Sequence, residues 1–82
     1  MNAITAPRLI FYTTEGCHLC EYAAAMLDQI QDKIDLKVVD ISEDESLVQR
    51  YGIRIPVVRN EQSQAEVGWP FSSEELEQLL AQ

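Results

Sequence analysis

Positive charge is scarce in this chain: six Lys and Arg stand against fourteen Asp and Glu, a formal net charge of -8. Nucleic acids and anionic lipid surfaces are held chiefly by clustered Lys and Arg, so neither is expected as a partner. Long apolar runs are missing too; nothing approaches the ~18 residues that a membrane span requires, which leaves a soluble domain as the expectation. The opening residues, "MNAITAPRLIFYTT", lack a basic start followed by an apolar stretch and a small-residue cleavage site. No secretory signal is expected there, and a reducing cytoplasm is the expected compartment. Histidine occurs once and cysteine only twice. A structural zinc site usually needs four protein ligands, so no metal is expected.

What is present is enough for one small domain. With 82 residues, 46% of them apolar, residues 1–82 are expected to form a single unit whose core recruits most of the chain. No repeat, linker or low-complexity tract interrupts it. "RLIFYT", residues 8–13, is a near-continuous apolar run after Pro7 and suits a strand covered on both faces. "TEG" breaks it. From Leu19 the apolar positions Leu19, Tyr22, Ala23, Met26, Leu27 and Ile30 fall on the stripe of an amphipathic helix.

After the polar link "QDKI", "DLKVVDI" predicts a second strand. "SEDE" then predicts a helix start with Ser42 as N-cap and Glu45 completing a capping box, Leu47, Val48 and Tyr51 along one face and Gly52 as C-cap. "PVVRN" and "QAEVG" predict a hairpin whose link "EQS" has no glycine and no Asn-Gly pair to set its type. "FSSEELEQLLAQ" predicts a last helix with Ser72 as N-cap, Glu75 completing a capping box, and Phe71 and Leu76 as a hydrophobic staple. The order is β-α-β-α-β-β-α. Strands separated by helices are expected to run parallel through right-handed crossovers, and the last two antiparallel.

The chemistry concentrates in "TTEGCHLCEYAAAMLDQI", residues 13–30, which carries both cysteines two residues apart. Such a pair is a redox dithiol, half of a metal site, or two inert buried thiols. Cys17 falls where strand gives way to helix, and Cys20 sits one turn in. Free backbone N–H groups and the positive end of the helix dipole stabilise a thiolate at Cys17 more than at Cys20. Cys17 is therefore the expected nucleophile and Cys20 the resolving thiol in thiol–disulfide exchange. His18 is a candidate modulator through an adjacent imidazolium, or else a solvent-facing residue, while Glu15 opposes the thiolate. Arg54 and Arg59 are the nearby cations available to an anionic substrate, or else solvated arginines. Trp69 and Pro70 are either an apolar rim for a partner peptide or core.

With "GCHLC", "YGIRIPV" and a Trp-Pro-Phe before the last helix, the chain resembles the glutaredoxin-like proteins of the thioredoxin-fold superfamily from about Arg8 to Leu80. The resemblance implies an α/β three-layer fold with a four-stranded mixed sheet. It implies a cis peptide at Ile55–Pro56 next to Cys17, with the Ile55 backbone pairing with an extended peptide or with glutathione. It implies an oxidoreductase that reduces protein or glutathione mixed disulfides, a monomer with no bound cofactor, glutathione as a co-substrate, and glutathione or thioredoxin reductase as electron source. The alternative on the same fold is a non-catalytic partner-binding module, or one holding an iron–sulfur cluster between two subunits. Two departures from the glutaredoxin pattern stand out. Thr14 and Glu15 occupy positions where a Lys or Arg usually precedes the first cysteine, and "GWPFSS" replaces the Gly-Gly and Asp segment that grips glutathione.

Overall fold

The computed structural model describes residues 6–82. The reading of the amino terminus as lacking a signal rests in part on residues 1–5, which lie outside the described residues. Strand β1 (Arg8–Thr13) leads to helix α1 (His18–Asp28), a 3-10 turn at Gln31–Lys33 and strand β2 (Asp35–Asp40). A second 3-10 turn (Ile41–Glu43) precedes α2 (Glu45–Tyr51), and β3 (Val57–Asn60), β4 (Glu66–Gly68) and α3 (Ser73–Ala81) complete the order. No helix among the described residues is long and apolar enough to cross a membrane.

The four strands form one sheet in the order β2-β1-β3-β4, with β1 central and paired on both sides. β1 and β2 are parallel as expected, but β3 runs antiparallel to β1, from Leu9 opposite Asn60 to Tyr12 opposite Val57. The expectation of parallel strands throughout the helix-linked part is corrected here, and helix length supplies the reason. α2 has seven residues and β2 six; a helix of that length rises ~10 Å, whereas such a strand spans ~20 Å. The chain cannot return to the far end of the sheet within α2. It therefore starts β3 at the end where β2 stopped.

Alternation along β1 sends its side chains to two cores. Leu9 and Phe11 pack with Ala23 and Leu27 of α1, Val58, and Leu76 and Leu79 of α3. Tyr12 packs with Ile41, Tyr51 and Val57 on the α2 face. The sheet lies between α1 and α3 on one side and α2 on the other, which makes the three layers of a thioredoxin-like fold.

Within α1 the buried residues are Cys20, Ala23 and Leu27, while Leu19 and Tyr22 remain exposed. The predicted stripe is thus rotated, with Cys20 rather than Leu19 and Tyr22 packed in the core beside Ala23 and Leu27. Two caps also differ from expectation. Asp40 caps the 3-10 turn by accepting from the Ser42 N–H at 2.9 Å, and Asp44, not Ser42, caps α2 by accepting from the Ser46 and Leu47 N–H groups. These hydrogen bonds hold both carboxyls below the usual range, chiefly through the Ser42 N–H at Asp40 and the Ser46 hydroxyl at Asp44. Gly52 keeps right-handed helical angles, and α2 ends where the N–H groups of Arg54 and Ile55 both donate to the Tyr51 carbonyl. At α3 the Ser72–Glu75 capping box is present, and Phe71 and Leu76 are buried in one cluster.

The hairpin turn is organised by Asn60, the buried polar side chain of the core. Its Oδ1 accepts from the Gln62 and Ser63 N–H groups, its Nδ2 donates to the Leu79 carbonyl at 2.9 Å, and Gln64 takes the left-handed φ of 68°. One side chain thus shapes the turn and ties it to α3. Replacing Asn60 by Ala leaves the Leu79 carbonyl only the longer bond from the Gln82 N–H at 3.4 Å and frees the turn N–H groups of their acceptor, which is expected to cost roughly 1–3 kcal/mol. Asn60→Asp should cost more at neutral pH, where a carboxylate would face that carbonyl. Urea unfolding midpoints of the three proteins check both expectations.

On the other face, the Tyr51 ring stacks on Tyr12 with centroids 4.3 Å apart, and its hydroxyl donates to Glu66. Burial, then the Glu66 carboxylate, pushes the Tyr51 phenol above its ordinary value. The fold favours the neutral phenol, so its contribution is complete below the unfolded pKa of ~10 and is lost as pH rises through the higher folded value. Thermal melts should show stability falling above pH ~10 more steeply in the native protein than in Tyr51→Phe.

Candidate active site

The loop from β1 to α1 turns on Gly16, whose φ of 77° lies in the left-handed region that glycine adopts without a side-chain clash. Cys17 follows with extended angles and is the N-cap of α1. Its Sγ accepts the Cys20 N–H at 3.2 Å, and its carbonyl accepts the Glu21 N–H at 3.3 Å. Cys17 and Cys20 are joined as a disulfide, with Cα atoms 5.2 Å apart. The two sulfurs are inequivalent. Cys20 is 4% exposed inside the larger core, whereas Cys17 is half-buried at its margin. An attacking or leaving group meets Cys17 first. His18 and Glu15 are both exposed beside it.

The Ile55–Pro56 peptide is cis. Ile55 packs against both cores, and Cys17 is packed on the larger of them, so this junction shares a core with the cysteine pair. The Ile55 N–H donates to the Tyr51 carbonyl at 3.0 Å. The N–H of Ile55, whose backbone is expected to pair with substrate, is therefore already engaged within the chain. Pro56 is buried, and its carbonyl accepts the Trp69 N–H at 3.0 Å. The Trp69–Pro70 peptide is also cis, which the sequence reading did not anticipate. Trp69 packs at the margin of the larger core: it meets Phe71 edge-on at 5.2 Å and stacks on the exposed Tyr22 of α1 at 6.5 Å.

Arg54 is drawn to Glu66 rather than left as a free cation. Its Nη2 lies 3.5 Å from Glu66 Oε1, and its guanidinium sits 5.6 Å from the Tyr51 ring centroid. Arg59 and Arg50 reach the same carboxylate at 3.2 and 3.8 Å. Half of the chain's Lys and Arg therefore converges on one acid, an arrangement that isolated arginines in the sequence could not reveal. Asp40, at the end of β2, engages the N–H and hydroxyl of Ser42. Among the described residues, no group of three or more His, Cys, Asp or Glu is placed to hold a metal ion.

A cleft of about 630 Å³ opens between α1 and the edge strand β2 and reaches both cysteines. Phe11, Leu36 and Val38 contribute to its apolar wall, and Glu15, Glu21 and Asp28 to its acidic one. Of these only Glu15 drew notice in the sequence. Glu21 and Asp28 lie seven residues apart, so a helical projection puts them on one side of α1, but nothing local marks that side as bordering a cleft.

Comparison with known proteins agrees with this geometry. The family model Glutaredoxin-like domain (DUF836) matches residues 8–81. The solved structure of the structural-genomics target protein XcR50 from X. campestris is 34% identical, with a TM-score of 0.77 over 89% of this chain and 95% of that one. Protein Ne2328 from Nitrosomonas europaea is 31% identical, with a TM-score of 0.80 over 98% of both chains. Thioredoxin 1 from Thermosipho africanus, at 18% identity and a TM-score of 0.68 over 90% of each chain, shares the fold. No curated protein matches. With its family model spanning β1 to α3 and its paired cysteines at the head of α1, the chain belongs to the glutaredoxin-like domain (DUF836) family.

Proposed function

We propose that this protein is a dithiol–disulfide oxidoreductase in which Cys17 is the nucleophile and Cys20 the resolving thiol. The observation that carries this reading is the capping of α1 by the Cys17 sulfur, which accepts the Cys20 N–H at 3.2 Å. In the dithiol form the same N–H and the positive end of the helix dipole favour the Cys17 thiolate, while Cys20 lies in an apolar core that favours the protonated thiol. The Cys17 thiolate attacks one sulfur of a substrate disulfide. A Cys17–substrate disulfide forms, and the other substrate sulfur leaves as a thiolate.

Cys20 then loses its proton and attacks the Cys17 sulfur. The internal disulfide closes and the second substrate thiolate departs. Two electrons have passed from the dithiol to the substrate, and a thiol reductant, either two glutathione molecules or a dithiol reductase such as thioredoxin reductase, restores the pair. A protein of this kind acts in the cytoplasm as a monomer, on a disulfide-containing protein or a glutathione adduct. The buried place of Cys20 suits its role, because it acts only on a disulfide already held at Cys17.

Cys17→Ser should abolish turnover of a mixed disulfide. Cys20→Ser should keep the first step and accumulate a covalent adduct at Cys17, visible in the intact mass. Turnover retained in Cys17→Ser rejects the assignment. In the native dithiol protein, iodoacetamide at neutral pH should modify Cys17 well before Cys20, as peptide mapping of a time course would show.

A further inference from the structure

We infer that the cleft between α1 and β2 receives a cationic, extended segment of the protein whose disulfide is reduced, and that it disfavours anionic thiols such as glutathione. The inference rests on the oxidoreductase reading and adds its substrate class. The cleft is continuous with the reacting sulfurs, since Cys17 and Cys20 line it. Its volume of about 630 Å³ falls within the ~300–1,000 Å³ of pockets that enclose small ligands or a few side chains. Val38, 59% exposed in the edge strand, adds apolar surface that none of the described residues covers fully.

Charge decides which occupant fits. Glu15, Glu21 and Asp28 border the cleft, and no Lys, Arg or His among the described residues lines it. The nearest strand cation in the sequence, Lys37, alternates with Leu36 and Val38 and so projects from the opposite face. Arg50, Arg54 and Arg59 gather around Glu66 on the α2 side of the sheet. A segment carrying Lys or Arg beside apolar residues matches both walls. Glutathione, with two carboxylates and one ammonium, meets like charge. A second copy of this chain would bring its own net charge of -8, which opposes self-association at an acidic wall.

The chemistry is unchanged from the dithiol exchange: the Cys17 thiolate takes up the segment's cysteine as a mixed disulfide, a thiolate leaves, and Cys20 releases the segment as its thiol. The cleft determines only which disulfide arrives in reach, acting on encounter and on KM rather than on the bond-breaking step.

The test uses the reduced full chain and synthetic peptides with one cysteine capped as its 2-pyridyl disulfide, flanked by Lys in one peptide and Glu in the other. An uncharged 2-mercaptoethanol pyridyl disulfide measures the redox reaction by itself. Second-order rate constants from release of 2-thiopyridone should favour the Lys peptide by about tenfold at low salt and converge as salt rises. The double variant Glu21→Gln/Asp28→Asn should bring the two peptides, each rated against the uncharged disulfide in the same protein, within about twofold of one another. The distal pair Glu43→Gln/Glu74→Gln, which removes the same charge outside the cleft, should preserve the preference. Equal rates for the two peptides in the native protein overturn the inference, as does a preference lost equally in both double variants. Failure of the native protein to react with the uncharged disulfide overturns the oxidoreductase reading beneath it.

Discussion

The site depends on a sulfur acting as a helix cap. A helix leaves its first backbone N–H groups unpaired, and small oxygen-bearing side chains commonly satisfy one of them. Here the Cys17 sulfur takes that place toward Cys20. The arrangement needs β1 to stop, the chain to reverse at Gly16, and α1 to start within one residue of the turn. It also needs Cys20 held inside the core, because a rotation of α1 about its axis would carry that sulfur out toward solvent. Leu9 and Phe11 of the central strand, packed with Ala23 and Leu27, set that rotation. The asymmetry of the dithiol is thus a consequence of core packing.

The same central strand separates two electrostatic surroundings. On the α2 face, three arginines surround Glu66: Arg54 meets its Oε1, while Arg50, Arg59 and the Tyr51 hydroxyl share its Oε2. Such a cluster keeps several charges close in a partly buried place, and its worth lies in joining α2, β3 and β4 more than in any single exposed pair. Along α1 the charges are acidic. A net charge of -8 therefore conceals a polarised molecule, in which most of the cations that could offset the acids of α1 are held across the sheet.

Local signals were legible in the sequence and distant agreements were not. "SSEE" before an apolar helix face announces its cap at Ser72 because both partners lie within four residues, and the C-x-x-C at a strand-to-helix junction announces the dithiol for the same reason. "DISEDES" offers Asp40, Ser42 and Asp44 as competing caps within five positions; the stop of β2 against β1 settles the choice, and that pairing is not a local property. The direction of β3 depends on how far a seven-residue α2 can carry the chain. Asn60 reads in the sequence as the end of the strand "PVVRN", because its partner across the fold, the Leu79 carbonyl, is 19 residues away. Arg54 looked available because Glu66 lies on a strand that meets it only in the folded sheet.

Reactivity and selectivity are consequently assigned to different residues with a single point of overlap. The Cys17 sulfur, the N–H that it accepts and the burial of Cys20 determine which thiol is activated, and none of them distinguishes one incoming disulfide from another. Glu15, Glu21 and Asp28 form no bond in the exchange, yet they set the potential along the approach from the α1–β2 cleft. Glu21 is the overlap. In the first turn of α1 it is favourable to the helix dipole, but its carboxylate competes with the Cys17 thiolate for the same positive end. That competition is relieved in the disulfide state, where Cys17 carries no charge. In the proposed exchange, an acidic first turn would therefore tilt the pair toward the disulfide, a penalty shared by every incoming disulfide, charged or not.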